Sequence, residues 1–279
     1  MLSSERDLAV FTTEPSLLAG LPRRRCLKYF SEGSPTSMLE YRYVFVLTSL
    51  LHLQQTAELA RLANQRHHLR ALFVHTDDAS ELLPQFLAQA NLRAIRNMFV
   101  HRHVDVPRRV LNAFCIGAEE DLIATARLTE DELVVVSCAS EMIRVPIEQA
   151  RALRHLSRAE LEQLVIAEDG SYLHWPQPDV HLGLEDLRLV VDPKLKEQVF
   201  AKRALEDGRL GQAIRRLRRT HGMTQGSIVG LSERQVRRIE NGEGTTVSAL
   251  RRLAGSHAMN LGDYVHELAR ISAELGREE

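Results

Sequence analysis

The sequence predicts an α+β protein of several domains, with a helical N-terminal region, a small central domain of antiparallel strands and an all-helical C-terminal domain. Apolar residues recur at helical spacing between residues 38 and 118. Between residues 119 and 191 the period shortens towards two, in short runs rich in β-branched residues. From residue 208 onwards, glycines and capping residues separate short apolar stretches of helical period.

Composition and charge restrict the class of protein further. Of 279 residues, 44% are hydrophobic, which is enough for packed cores in more than one domain. The net charge is -1, yet residues 209–270 contain eleven arginines against five acidic residues, a local charge of +6. Such a basic segment favours an anionic partner. We expect a cytoplasmic protein without a membrane partner, because neither a membrane-spanning apolar run nor a signal-peptide pattern occurs.

The N-terminal region is expected to be mainly helical. Residues 1–37 have no sustained periodicity, which predicts a loose lead-in. Residues 38–66 predict a long helix, although residues 41–47 alone would also suit a strand. Three residues can cap the next helix: Asp77, Asp78 and Ser80. Since residues 92–100 continue an apolar helical pattern, residues 38–118 are predicted to form a mainly α-helical domain.

Residues 119–191 are predicted to form a small α+β domain. Three short β-rich runs separated by polar turns predict an antiparallel meander: residues 122–128, 132–138 and 142–147. Ser157 and Glu160 have the spacing of a capping box at the start of a short helix. Asp169-Gly170 is a strong signal for a hairpin turn.

A connecting helix and a bundle of short helices are predicted to follow. Asp192-Pro193 is typical of a helix start, so a helix is expected over residues 192–207, ending at Gly208. Within residues 208–279, five short helices are expected, three of which have Thr224, Thr246 and Asn260 as caps.

The third of these helices is bounded by Ser232 and Asn241. Ser232 and Gln235 have the spacing of a capping box, while Val236 and Ile239 are expected to point inward. Its exposed arginines and glutamine can contact base edges in the major groove of DNA. The candidate DNA-binding residues in and before this helix are Thr224, Gln225, Ser232, Glu233, Arg234, Gln235, Arg237 and Arg238. The candidates for contacts to phosphate are Arg215, Arg218 and Arg219.

The C-terminal part resembles the Xre/Cro-repressor class of helix-turn-helix proteins. The resemblance lies in Leu210-Gly-Gln-Ala-Ile-Arg-Arg-Leu, in Met223-Thr-Gln225, in the run from Ser232 to Gly242 and in Ala249-Leu-Arg-Arg-Leu-Ala254. It implies that the helix from Ser232 to Asn241 is the recognition helix. Before Ser232 the chain is a few residues shorter than the family pattern, which shortens the second helix. The alternative is a basic helical bundle that contacts proteins.

Part of the central domain resembles domain of unknown function 2442, which implies an accessory module without assigned chemistry. The resemblance lies in the segment Asp169-Gly-Ser-Tyr-Leu-His-Trp-Pro176, followed by Asp179 and by residues 182–187. His174, Asp179 and His181 have ligand atoms that would suit zinc or iron. We nevertheless expect a structural turn centred on Trp175, and neither a metal nor another cofactor, because only three ligands are present in a segment stiffened by proline. Surface or capping roles are expected for the remaining histidine-rich stretches: His67, His68, His75, His101 and His103.

A short motif in the N-terminal region supports a second hypothesis. Arg96-Asn97, followed by His101, resembles the R-N-x-x-x-H motif of the HEPN superfamily, helical bundles that include many ribonucleases. On a helix, Asn97 and His101 would share one face. The resemblance implies His101 as general acid or base at a ribose hydroxyl and Arg96 as a stabiliser of phosphate charge. The favoured alternative is that these are polar residues of a structural helix.

Two functions are therefore considered. The preferred one is a bacterial sequence-specific transcriptional regulator that binds double-stranded DNA as a homodimer, because one recognition helix covers only a half-site. The alternative is a HEPN-like RNA-cleaving or RNA-binding protein of toxin–antitoxin or defence type, whose helix-turn-helix controls its own operon. A nucleotide enzyme or serine hydrolase is not expected, since the phosphate-loop, dinucleotide and nucleophile-elbow motifs are lacking.

Overall fold

The chain divides into two units, Met1–Val191 and Asp192–Glu279. The computed structural model describes residues 7–31, 40–76 and 82–278. Within these residues, the first unit contains helices and strands and the second contains helices. The predicted mixture of helices and antiparallel strands is confirmed at this level. None of the described helices is both long and apolar enough to cross a membrane.

A five-stranded parallel sheet forms the N-terminal part of the first unit. Its strands are β1 (Leu8–Thr12), β2 (Leu27–Phe30), β3 (Tyr43–Ser49), β4 (Leu69–His75) and β5 (Met98–His101). They lie in the order β2-β1-β3-β4-β5, and every neighbouring pair is parallel. The predictions of a loose lead-in over residues 1–37 and of a mainly α-helical domain over residues 38–118 are therefore wrong.

Burial on both faces of the sheet explains this difference. Alternate residues of β3 and β4 enter two separate cores: Val44, Val46, Leu72 and Val74 in one, Phe45, Leu47 and Phe73 in the other. Helices α1 (Leu53–Gln65) and α2 (Leu83–Gln89) contribute to the first core, and α3 (Asp105–Ile116) to the second. A strand buried on both faces is apolar at every position, so its sequence lacks the alternation that distinguishes strands.

Only the second part of the predicted long helix is helical. Of residues 38–66, α1 includes those from Leu53 to Gln65, whereas Tyr43–Ser49 is the central strand β3. The capping candidates Asp77, Asp78 and Ser80 lie outside the described residues.

Two small antiparallel sheets complete the first unit. The predicted meander is confirmed as β6 (Ile123–Leu128), β7 (Glu132–Ser137) and β8 (Met142–Pro146). The second sheet consists of β9 (Val165–Ile166), β10 (Leu173–Trp175) and β11 (Val180–Leu182), in the order β11-β10-β9. The unit ends with helix α5, Leu184–Val191.

Local signals in this segment are confirmed. Helix α4 (Arg158–Leu161) begins with the predicted capping box between Ser157 and Glu160. Gly170 lies between β9 and β10 with φ of 81°, as a turn glycine requires. Trp175 is fully buried, and its Nε1 donates a hydrogen bond to the carbonyl oxygen of Leu161 at 3.1 Å.

The second unit begins with one long helix. Helix α6 extends over Pro193–Thr220, and the side chain of Asp192 accepts hydrogen bonds from two backbone amides of its first turn, as predicted. The prediction that a connecting helix ends at Gly208 is wrong. A glycine inside a helix weakens it by only about 1 kcal/mol, which packing can offset. The backbone at Gly242 lies close to the backbone of α6 at Gly208. A Cβ on Gly242 would lie only 2.7 Å from the Cα of Gly208.

Three further helices pack on the C-terminal half of α6: α7 (Glu233–Glu240), α8 (Val247–Ser256) and α9 (Leu261–Glu278). The predicted second short helix is reduced to a 3-10 turn, Gln225–Ser227. A single core joins these elements, built mainly from Ile214, Leu217, Val236, Leu253, Tyr264 and Leu268. Thr246 caps α8 as predicted, and Asn260 Oδ1 accepts a hydrogen bond from the backbone amide of Asp263 at the start of α9.

Two glycines of α6 provide a matched test of this packing. A Cβ on Gly211 would lie 2.5 Å from the carbonyl oxygen of Ile239, whereas a Cβ on Gly208 would have no neighbour within 4 Å. We expect Gly211→Ala to lower the free energy of unfolding by about 1–3 kcal/mol because α7 must move away. Gly208→Ala is expected to raise it by about 0.5–1 kcal/mol. Urea denaturation followed by circular dichroism measures both, and equal effects would contradict the close approach.

Candidate nucleic-acid interface

Helix α7 is held at its N-terminus by the predicted capping box. The side chain of Ser232 accepts a hydrogen bond from the backbone amide of Gln235, and Gln235 Oε1 accepts one from the backbone amide of Ser232 at 2.9 Å. Val236 and Ile239 are buried, as predicted. Because Val236 and Ile239 face the core, the opposite face of α7 is exposed to solvent.

The exposed face of α7 borders an open depression of about 830 Å³. Its lining residues are Ser232, Glu233, Arg234, Arg237, Arg238, Asn241 and Glu243. Arg238 Nε lies 2.7 Å from Glu243 Oε2, in an exposed ion pair. Within the described part of the chain, the guanidinium groups of Arg234 and Arg237 have no hydrogen bond or ion pair. These two cations are therefore available to a ligand.

Gln235 is less available than the sequence suggested. Its Oε1 also accepts a hydrogen bond from Ser232 Oγ at 3.0 Å, so the oxygen is engaged twice within the capping box. A bidentate contact to adenine requires both the oxygen and the nitrogen of the amide. While the box is intact, Oε1 is occupied and Gln235 can contact a base only by donating from Nε2.

A buried ion pair lies beneath the exposed face. Glu240 is 2% exposed and Arg218 6% exposed. Arg218 Nε lies 2.5 Å from Glu240 Oε1 and Arg218 Nη2 lies 3.1 Å from Glu240 Oε2. Gln225 Nε2 donates to Glu240 Oε2 at 2.8 Å, and Arg215 Nε lies 3.5 Å from the same oxygen. This cluster ties α6, the 3-10 turn and α7 together.

The charge state of Glu240 follows from these contacts. Burial alone would raise the pKa of its carboxyl group. Hydrogen bonds from Arg218 and Gln225, together with the positive charges of Arg218 and Arg215, outweigh burial and hold the pKa below its usual range. Glu240 is therefore an anion at neutral pH, with its partners in place.

Arg218 is consequently buried and paired with Glu240, so it is not exposed for the contact to phosphate that the sequence predicted. Its buried partner could have been suspected from the sequence, because Glu240 follows Val236 by four residues and therefore shares the inward face of α7. A buried carboxylate requires a cationic or hydrogen-bonding partner. Gln225 is likewise engaged inward, through its amide nitrogen.

The remaining candidates lie at or near the surface. Arg215 is half-buried, and its Nη2 donates to Asn241 Oδ1 at 2.7 Å, which links α6 to the end of α7. Arg219 is exposed at the end of α6. Thr224 is exposed before the 3-10 turn, and its side chain makes no capping hydrogen bond. Arg219 thus remains a candidate for contacts to phosphate, and Thr224 remains a candidate DNA-binding residue before the recognition helix.

Arg96, Asn97 and His101 do not form the helical motif that the HEPN resemblance requires. Asn97 precedes β5 and its Nδ2 donates to the carbonyl oxygen of Leu69 at 2.7 Å. His101 is the last residue of β5, where its Nδ1 lies 3.1 Å from the carbonyl oxygen of His103. The predicted helix over residues 92–100 is not formed. The prediction that Asn97 and His101 share one face of a helix is therefore wrong.

His101 instead belongs to the carboxyl edge of the parallel sheet. With Ser16, Leu17, Leu47 and His75 it lines a cavity of about 150 Å³. Burial lowers the pKa of His101 to about 4, although its contact with the carbonyl of His103 opposes this shift. The ring is therefore neutral at physiological pH.

The same edge contains a second polar group. Between β1 and β3 the strand order reverses, and ligands of open α/β sheets commonly bind outside such a point. Here Glu14 Oε2 accepts a hydrogen bond from the backbone amide of Ser49 at 2.7 Å. Glu14 Oε1 and Ser49 Oγ lie 3.0 and 2.9 Å from the same atom, His52 Nδ1. A serine hydrolase relay needs the two ring nitrogens to bind different partners, so this arrangement is not one.

The two units thus present different chemistry. The first has a polar carboxyl sheet edge, and the second has an exposed arginine-bearing helix above a buried ion pair. Comparisons with protein-family models, with curated proteins and with solved structures found no match to this chain.

Proposed function

We propose that the C-terminal unit binds double-stranded DNA and that the protein is a sequence-specific transcriptional regulator. The observation that carries this proposal is the exposed face of α7, where the guanidinium groups of Arg234 and Arg237 project beside an open depression without a partner in the described chain. Arginine on an exposed helix is the commonest means of contacting guanine in the major groove.

The charge of the unit supports an anionic partner. Residues 209–270 carry a local charge of +6, although the whole chain has a net charge of -1. A cationic surface of this kind releases counterions from phosphates on binding, so the affinity for DNA is expected to fall steeply as salt concentration rises.

The packing beneath α7 supports a rigid recognition element. The capping box fixes its first turn, and the pair between Arg218 and Glu240 joins it to α6. A rigidly held helix loses little conformational entropy on binding, which favours discrimination between sequences. Binding as a homodimer is part of the proposal, because two copies of α7 would contact two half-sites.

The test is a comparison of variants on specific and random duplexes. A binding site is first selected from a random DNA library with the purified full chain. Arg234→Ala and Arg237→Ala are each expected to weaken binding to that site by about 1–3 kcal/mol per lost base contact. Their affinity for random DNA is expected to fall less. Arg219→Ala is expected to weaken binding to the selected and the random duplex equally. Fluorescence anisotropy measures these affinities.

Arg270→Ala is the matched control. Arg270 is also exposed, but it lies on α9 and forms ion pairs with Glu267 and Glu274. Its loss is expected to leave binding to both duplexes nearly unchanged. The proposal that α7 recognises the DNA sequence would be refuted if the library yields no preferred site. It would also be refuted if Arg234→Ala and Arg237→Ala lose equal affinity for both duplexes.

A further inference from the structure

A second site lies on the hairpin formed by β10 and β11. His174 and His181 are directly opposite each other in the antiparallel register. Their rings are stacked, with centroids 4.2 Å apart and planes at 7°. Trp175 and Val180 form the next pair along the register and therefore face the other side of the sheet, where Trp175 is buried.

Asp179 completes this cluster from the turn between the strands. It has a positive φ of 51°, an uncommon conformation for a residue other than glycine. Asp179 Oδ1 lies 3.6 Å from His174 Nε2 and 3.8 Å from His181 Nδ1. One ligand atom from each of the three residues lies within 4.8 Å of the other two.

Hydrogen bonds do not explain why Asp179 Oδ1 lies near the ring nitrogens of His174 and His181. Both distances exceed the usual range for a hydrogen bond between nitrogen and oxygen. His174 Nε2 is buried and has no hydrogen-bond partner in the described part of the chain. A buried polar nitrogen without a partner is unfavourable, so a further group that binds it would stabilise the hairpin.

We propose that His174, Asp179 and His181 bind a divalent transition-metal ion such as Zn²⁺. Two imidazole nitrogens and one carboxylate oxygen suit zinc and its neighbours, whereas Mg²⁺ and Ca²⁺ prefer oxygen ligands alone. Tetrahedral ligands about 2.0–2.1 Å from zinc are separated by about 3.3 Å. Binding an ion would require the two stacked rings to tilt so that their nitrogen lone pairs converge, and would shorten the present separations of 3.6 and 3.8 Å from Asp179.

The proposed metal site departs from the expectation of a structural turn without a metal. Pro176 and Pro178 belong to the turn that returns the chain, and it is this turn that places Asp179 beside the two rings. Tyr172 packs edge-on against His181, with centroids 4.9 Å apart, and restricts the orientation of that ring.

Three protein ligands leave a coordination position for water or for a bound molecule. His174 and Tyr172 also line a cavity of about 490 Å³, together with Glu168, Arg108 and Arg109. A molecule bound to the ion would therefore have space beside it. The cavity and the ligand set belong to the first unit, so this site is independent of the proposed interface on α7.

The test uses the full chain, without an affinity tag and freed of metal by a chelator. Titration calorimetry with Zn²⁺ alone is expected to show one saturable ion per chain. Co²⁺ is expected to give the visible absorption of a nitrogen and oxygen site, and excess Mg²⁺ should not displace either ion. Asp179→Asn and His181→Ala are each expected to weaken Zn²⁺ binding at least about tenfold.

His155→Ala is the control, because His155 is exposed and lies outside the cluster. It should bind Zn²⁺ like the unaltered chain. Asp179 and His181 are also exposed, so circular dichroism should show that their variants remain folded. The absence of saturable Zn²⁺ binding, or unchanged binding by folded Asp179→Asn and His181→Ala variants, would overturn the proposal.

Discussion

Replacing Arg218 with alanine is expected to destabilise the C-terminal unit by about 3–5 kcal/mol. Glu240 would remain in the interior, 2% exposed, without the cation that donates to both of its carboxylate oxygens. Gln225 and the half-buried Arg215 would remain beside Oε2, but Oε1 would lose its cation, and a buried charge without its main partner is strongly destabilising. Chemical denaturation of the full chain, followed by helical circular dichroism, measures the loss.

The matched control is Arg238→Ala. Arg238 forms an ion pair with Glu243 on the surface, with about half of each side chain exposed. An exposed pair of this kind contributes about 0–1 kcal/mol, so little change in stability is expected. If Arg218→Ala unfolds at the same denaturant concentration as Arg238→Ala, the buried pair does not stabilise the unit as described.

A double replacement separates the two possible roles of Arg218. Arg218→Met combined with Glu240→Leu removes both charges, and it is expected to be more stable than Arg218→Ala because no buried charge is left unpaired. If Arg218 were a phosphate ligand, the double variant would fold but bind all DNA more weakly. On the present geometry, a folded double variant is expected to retain its DNA affinity.

Acidification from about pH 6.5 to about pH 4 is expected to remove about 3 kcal/mol of stability through His101. Burial lowers the pKa of this ring from 6.5 to about 4 in the folded protein. In this window the unfolded chain binds a proton that the folded protein excludes. The part of the unfolding free energy that depends on neutral His101 is therefore fully present above about pH 6.5. It is lost as the pH falls towards 4.

The comparison of His101→Gln with the unaltered chain isolates this effect. The variant is expected to be less sensitive to pH between 6.5 and 4, whatever its stability at neutral pH. His155→Gln is the control, since the side chain of His155 is exposed. Identical slopes of unfolding free energy against pH for His101→Gln and the unaltered chain would show that His101 is not held neutral by burial.

The sequence alone was sufficient where local chemistry decides the structure. The capping boxes at Ser157 and Ser232 and the helix start at Asp192 form as predicted, because their partners lie within three residues. The antiparallel meander was also predictable, since its turns are short and signalled by polar residues. The exposed face of α7 follows from the inward spacing of Val236 and Ile239.

Only the tertiary structure decided the features that depend on distant partners. The run Tyr43–Ser49, which taken alone also suited a strand, became the central strand and not part of a long helix because both of its faces found a core. Arg218 was turned inward by Glu240, a residue 22 positions away. His174 and His181 meet because the hairpin register places them opposite each other. In each case a side chain's role depends on which group packs against it, and that is determined when the chain folds.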